Sequence, residues 1–209
     1  MSIYISNPAA TIENVSKQGQ ENQLSTAFIK ELELTLSDPD GFQSDHFDVF
    51  NLNEIFNYLK LSHDLYLNHW LPKIEQTVDI LNLKFGRQYL AIRVLKFFLE
   101  KYRNELVQHI NQEESVLFVY IEKLLNGEAN DKAEQIAVAH FLNTHNDNIV
   151  LHLDDLKNDL LLFHTNLKEN LVFQVLFNQL HLFQRELAVH GLIEDLVVVP
   201  RVIATLHNN

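Results

Sequence analysis

Two stretches decide the reading of this chain: Glu105-Leu106-Val107-Gln108-His109-Ile110-Asn111-Gln112-Glu113-Glu114 and Glu186-Leu187-Ala188-Val189-His190-Gly191-Leu192-Ile193-Glu194-Asp195. Both read Glu-Leu-x-x-His-x-x-x-Glu-acid. Ser62-His63-Asp64 lies upstream of the first, and Thr144-His145-Asn146 lies upstream of the second at nearly the same distance. A hydroxyl–His–Asx group followed by a His-x3-Glu group therefore occurs twice, and the repeat divides the chain into two helical hairpins related by an approximate two-fold.

Working outward, the surrounding sequence is helical. Five Gly and four Pro in 209 residues are too few for the turns of a β-sandwich or an α/β fold. Four long helical patterns follow residue 50: about 53–83, 87–125, 131–163 and 169–199. Pro72 is expected to kink or break the first, and Pro200 to weaken or end the fourth. Asn126-Gly127 is a stop signal for the second, and Asp131 a cap for the third. We expect an all-α, up-down-up-down four-helix bundle over residues 47–209. Residues 1–46, rich in Ser, Asn, Gln and Asp, read as an N-terminal arm with one short helix from Leu24 to Leu36, leaning on the body or on a partner chain.

Residues four apart share a helix face, about 6 Å apart along the axis. His109 and Glu113 can thus reach one point in the core, as can His190 and Glu194. Antiparallel packing of the hairpins would bring His63, His109, Glu113, His145, His190 and Glu194 to a common layer. Buried carboxylates call for a cation, and this donor set suits iron or manganese, as a pair or as a single metal. A His-x3-Glu pair falls by chance roughly once in a chain of this composition, so the weight rests on the shared register of the two pairs. Glu105, Glu186, Tyr66 and Tyr102 are candidates to support the ligands from behind, with solvated charges or core packing as their ordinary roles.

Composition limits the function. The net charge of −12 opposes binding to nucleic acid. No apolar run approaches the about 20 residues of a membrane span, and the first residues do not read as a secretory signal. The absence of Cys removes disulfides, thiolate metal sites and a Cys nucleophile. We expect a cytoplasmic protein without a nucleic-acid or membrane partner, and a homodimer is compatible with the arm.

At these residues the sequence resembles the hemerythrin-like di-iron proteins, particularly the branch that repairs iron–sulfur centres under nitrosative and oxidative stress. The matching pieces are Ser62-His63-Asp64 with Leu71-Pro72-x-Ile74; His109-x3-Glu113-Glu114-x2-Leu117-Phe118; His145-Asn146-Asp147; and His190-x3-Glu194 with Val199-Pro200-Arg201. They span about residues 50 to 203. The resemblance implies a four-helix bundle with a non-haem di-iron centre, Glu113 and Glu194 bridging, and His63, His109, His145 and His190 as terminal ligands. It also implies a stress-response role: sensing nitric oxide or oxygen, or donating iron to an accepting protein. A redox enzyme acting on peroxide or nitric oxide is the alternative, and a signalling bundle with a decayed site is another. Two features depart from the repair branch. Leu83–Gln88 lacks the further His expected near the start of the second helix, so one iron is expected to be short of a ligand, and the N-terminal Cys pair is missing.

Overall fold

The computed structural model describes residues 24–144, Leu153, Leu156 and residues 169–207. Every regular element among them is helical. In chain order these are α1 (Thr26–Ser37), α2 (Leu52–Leu65), α3 (Leu71–Phe85), α4 (Leu90–Glu113), α5 (Val119–Leu125), α6 (Lys132–Thr144), α7 (Leu171–Ile193) and α8 (Val199–His207). Two short 3₁₀ turns (Pro39–Gly41 and Ser44–Phe47) link α1 to α2. Three π-turns (Tyr66–Trp70, Glu114–Phe118 and Glu194–Val198) join α2 to α3, α4 to α5 and α7 to α8. No described helix is long and apolar enough to cross a membrane.

The π-turns refine the expected effect of the two prolines: the regular α-helix is interrupted just before each of them but does not end there. Helical structure runs through Pro72 to Phe85 and through Pro200 to His207. A proline lacks an N–H, and its ring collides with the carbonyl four residues back. Just before each proline, the ladder widens instead: the Leu71 N–H reaches Tyr66 O, and the Val199 N–H reaches Glu194 O, each five residues back. The wide turn absorbs the misfit, and the helix resumes.

Helix ends follow the expected chemistry. The Asn126–Gly127 stop has Gly127 at φ 74°, a left-handed conformation that glycine adopts without a Cβ penalty. The Gly127 N–H then bonds Leu124 O, and the Glu128 N–H bonds Lys123 O, closing the last turn of α5. Asp131 caps α6 by accepting from the Ala133 N–H at 2.8 Å. Asn170 caps α7 by accepting from the Val172 N–H at 3.0 Å. The third helical pattern extends beyond Thr144 into residues that lie mostly outside the described ones.

Contacts group the chain into two units. The first comprises Met1–Asn7, Asp64–Val107 and Asn148–Leu187. Its core sets the ring of Phe183 among Tyr66, Trp70 and Tyr102, at centroid distances of 5.6, 6.0 and 6.4 Å. The Tyr66 hydroxyl donates to the Glu186 carbonyl at 3.1 Å, and the Trp70 indole N–H donates to the Glu186 carboxyl at 2.5 Å.

The second unit comprises Pro8–His63, Gln108–Asp147 and Ala188–Asn209. Here α1 buries Phe28, Ile29, Leu32 and Leu36, the face that its four-residue spacing predicts. Phe28 meets Phe47, Phe50 and Tyr58 edge-on. The Ser25 hydroxyl caps α1, while the Ser25 N–H donates to Glu54 at 2.7 Å. Arg201 of α8 closes the same region, its guanidinium donating to the carbonyls of Phe47 and Phe50 at 2.7 and 2.8 Å.

Glu186 generates a stability prediction. Burial pushes its carboxyl up to about 8 from 4.5, and the Trp70 N–H offsets only part of that. The folded chain therefore holds this proton more firmly than the unfolded chain does. The resulting stabilisation is complete below pH 4.5 and is lost as the pH rises to about 8. Thermal melts of the Glu186→Gln variant, whose amide keeps an acceptor for Trp70 and does not titrate, should fall less steeply across that window than those of the parent chain. Parallel slopes would refute the assignment.

Candidate metal centre

Polar residues stand where the core register of the helices demands apolar ones. Along α4 the buried stripe runs Ile92, Leu95, Leu99, Tyr102, Leu106 and Ile110, and its next place is taken by Glu113. Along α7 it runs Phe173, Leu176, Leu180, Phe183 and Leu187, then continues through His190 to Glu194. In α2, Ser62 and His63 follow Ile55 and Leu59 into the interior. Regular helical geometry thus carries these side chains inward because their position, not their polarity, directs them there.

Within the second unit these groups converge. His63 Nε2 lies 3.1 Å from Glu113 Oε2, and His109 Nε2 lies 2.8 Å from Glu113 Oε1. His190 Nε2 lies 3.4 Å from Glu194 Oε2. The rings of His63 and His190 are 5.0 Å apart. Ligand atoms of His63, Glu113 and His190 all fall within 4.8 Å of one another, and all three residues are buried. His109 is partly exposed. His145 lies outside the described residues.

The outer nitrogens fix which way each imidazole faces. His63 Nδ1 is 3.0 Å from Glu114 Oε1, and an ionised carboxylate only accepts, so the Nδ1 proton points there. His190 Nδ1 is 2.7 Å from Ser62 Oγ. That hydroxyl has one proton and two carbonyl neighbours, Leu59 O at 2.8 Å and Tyr58 O at 3.1 Å. With the proton given to a carbonyl, Ser62 accepts from His190 Nδ1. Both rings then turn Nε2 toward the buried carboxylates. A nitrogen lone pair facing a carboxylate oxygen needs positive charge between them, as a second ring proton or a metal ion. An imidazole that anchors its outer N–H on a carboxylate or hydroxyl and aims Nε2 inward is oriented as a ligand is. The donor set of imidazole nitrogen and carboxylate oxygen fits iron or manganese.

The π-turn Glu114–Phe118 adjoins this cluster. Successive residues of a regular helix diverge by about 100°, yet Glu113 and Glu114 grip opposite nitrogens of the same imidazole. The turn widens at Glu114, immediately after the buried carboxylate. Phe118, at its end, lies flat against the His63 ring, with centroids 4.9 Å apart and planes 6° apart.

Sequence reasoning assigned no role to Ser62 or Glu114, although the signal was present: both belong to the repeat, as the hydroxyl before His63 and the acid after Glu113. The proposed supporting residues lie elsewhere. Glu186, Tyr66 and Tyr102 belong to the aromatic core of the first unit, and Glu105 pairs with Lys101 at 3.4 Å.

If Ser62 and Glu114 orient the ligands, Ser62→Ala and Glu114→Ala should each weaken metal affinity by about 10- to 100-fold in competition with a chelator. Unchanged affinity in both would show that the two contacts do not hold the rings. No protein-family model matches the chain, and no curated protein or solved structure shows similarity to it.

Proposed function

We propose that the chain is a non-haem metal protein in which a hemerythrin-like four-helix bundle holds a carboxylate-bridged pair of iron ions. The observation that carries this reading is Glu113, buried with an imidazole Nε2 against each of its two oxygens. A carboxylate flanked in this way has the disposition of a bridge between two metals. His63, His190 and Glu113 would serve one position, and His109 with the second oxygen of Glu113 the other. Glu194 stands beside His190 as the second carboxylate. The internal repeat makes His145 equivalent to His63, so the sequence offers it to the second position. Bound iron would supply Lewis acidity and a coordination place for a small ligand.

What the chain's own residues do is hold and orient. Ser62 and Glu114 turn the imidazoles, and Phe118 screens one face of His63. Glu114 is nearly half exposed, at 47% of its side chain, so the group that holds His63 also touches water. The role we propose is a stress-related one, sensing nitric oxide or oxygen or donating iron to iron–sulfur centre repair, rather than turnover of a substrate.

A single-metal version has support of its own. Two imidazoles and one carboxylate within 4.8 Å form the two-His, one-carboxylate set of mononuclear iron sites. The region Leu83–Gln88 also lacks the additional His that a fully ligated pair would use.

Metal analysis after anaerobic loading with ferrous iron decides between these. About two irons per chain supports the bridged pair, and about one the mononuclear site. Chain that stays metal-free ends both. Glu113→Ala should abolish loading in either case, and the optical change on adding nitric oxide should vanish with it.

A further inference from the structure

The first unit has an exposed face where α3 turns into α4. Leu83 is 87% exposed at the end of α3, and Leu90 and Phe97 are 65% and 68% exposed on α4. Val94 lies exposed between these two at helical steps of four and three, so the three side chains form one stripe. Large apolar side chains are often exposed singly; a stripe of them with a fourth at the adjoining helix end marks a contact surface.

Its charge is distinctive. Residues 84–103 hold Lys84, Arg87, Arg93, Lys96, Lys101 and Arg103 against one acid, Glu100, in a chain whose net charge is −12. Three of these cations are taken: Lys96 by Asp79 at 2.7 Å, Lys101 by Glu105 and Arg103 by Glu75 at 3.3 Å. Lys84, Arg87 and Arg93 are exposed and join no ion pair among the described residues. Lys84 and Arg93 adjoin Leu83 and Val94 in the chain, and Arg87 lies three residues before Leu90.

We propose that this face docks an acidic, apolar-striped segment of another protein, whose apolar side chains cover Leu90, Val94 and Phe97 and whose carboxylates meet Lys84, Arg87 and Arg93. A second copy is the poorer occupant, because a two-fold contact across the stripe would gather the unpaired cations of both copies into one interface. An anionic bilayer fits less well than a protein. It is an extended plane of negative charge that repels a strongly acidic chain, whereas a protein of bounded size engages the basic face alone. The stripe spacing is that of helix-in-groove anchors. This inference is independent of the metal reading.

Photo-crosslinking tests it. The full chain with benzoylphenylalanine replacing Phe97 is irradiated in cells, and the crosslinked protein is identified, purified and titrated against the parent chain. The expected partner binds more weakly as salt rises, and loses at least about tenfold in affinity to the Lys84→Glu/Arg87→Glu/Arg93→Glu variant and to Leu83→Ser/Phe97→Ser. These positions are exposed, and circular dichroism confirms that the variants keep their helices. A crosslink only to a second copy, no crosslink, or a partner indifferent to both variants would overturn the proposal. So would co-sedimentation with phosphatidylserine–phosphatidylcholine vesicles that the charge variant abolishes, which would assign the face to a lipid surface.

Discussion

Glu113 is the constraint around which the second unit is arranged. It is fully buried, at the place in the α4 stripe where an apolar residue would ordinarily complete the core. Taking an ionised carboxylate out of water costs several kcal/mol unless charge and hydrogen bonds compensate. Here His63 and His109 face its two oxygens. Glu114 and Phe118 hold the His63 ring, one at its outer nitrogen and one flat against its face, and Ser62 holds the outer nitrogen of His190 beside it.

Three π-turns interrupt the described helices. Two lie directly before proline, where a wide turn removes the collision between the ring and the carbonyl four residues back. The third, at Glu114, has no proline to explain it. It begins immediately after Glu113, where two consecutive carboxylates face opposite nitrogens of one imidazole. Glu194 likewise opens its own π-turn. Wide turns in helices concentrate at functional positions because they trade regular hydrogen bonding for a side-chain direction that an ideal helix does not offer. The coincidence of two of the three with buried carboxylates follows that pattern.

Much of this was legible in the sequence, for reasons that differ by residue. The His-x3-Glu pairs were readable because a four-residue step fixes a shared face whatever surrounds it. The Asn126-Gly127 stop and the Asp131 cap were readable because their chemistry is local. Continuity through Pro72 and Pro200 was not, since it depends on how the preceding turn winds, and no residue type signals a π-turn. The roles of Ser62 and Glu114 were hidden for another reason. Each acts across 128 and 51 residues of chain, respectively, on a ring whose orientation only tertiary packing determines. The place of Glu186 was hidden as well: its one-turn spacing before His190 allowed ligand support or a solvated helix face, whereas its buried carboxyl accepts from Trp70.

Glu186 and Glu113 together show that burial alone does not make a carboxylate a metal ligand. Both sit in helical interiors at similar depth. Around Glu186 the neighbours are aromatic, with a single indole N–H within reach, and burial answers by raising its pKa to about 8, so that the neutral acid is what the core contains. Around Glu113 the neighbours are imidazoles, groups that accept a proton or share a metal near neutral pH. Neutralisation by a retained proton needs no partner and leaves nothing for a ligand to do. Balancing by imidazoles places several donors around a common point, each already stripped of water, and a divalent cation entering there meets ligands that are desolvated and oriented in advance. The difference between a structural acid and a candidate metal site in this chain therefore lies in what the sequence puts opposite each carboxylate.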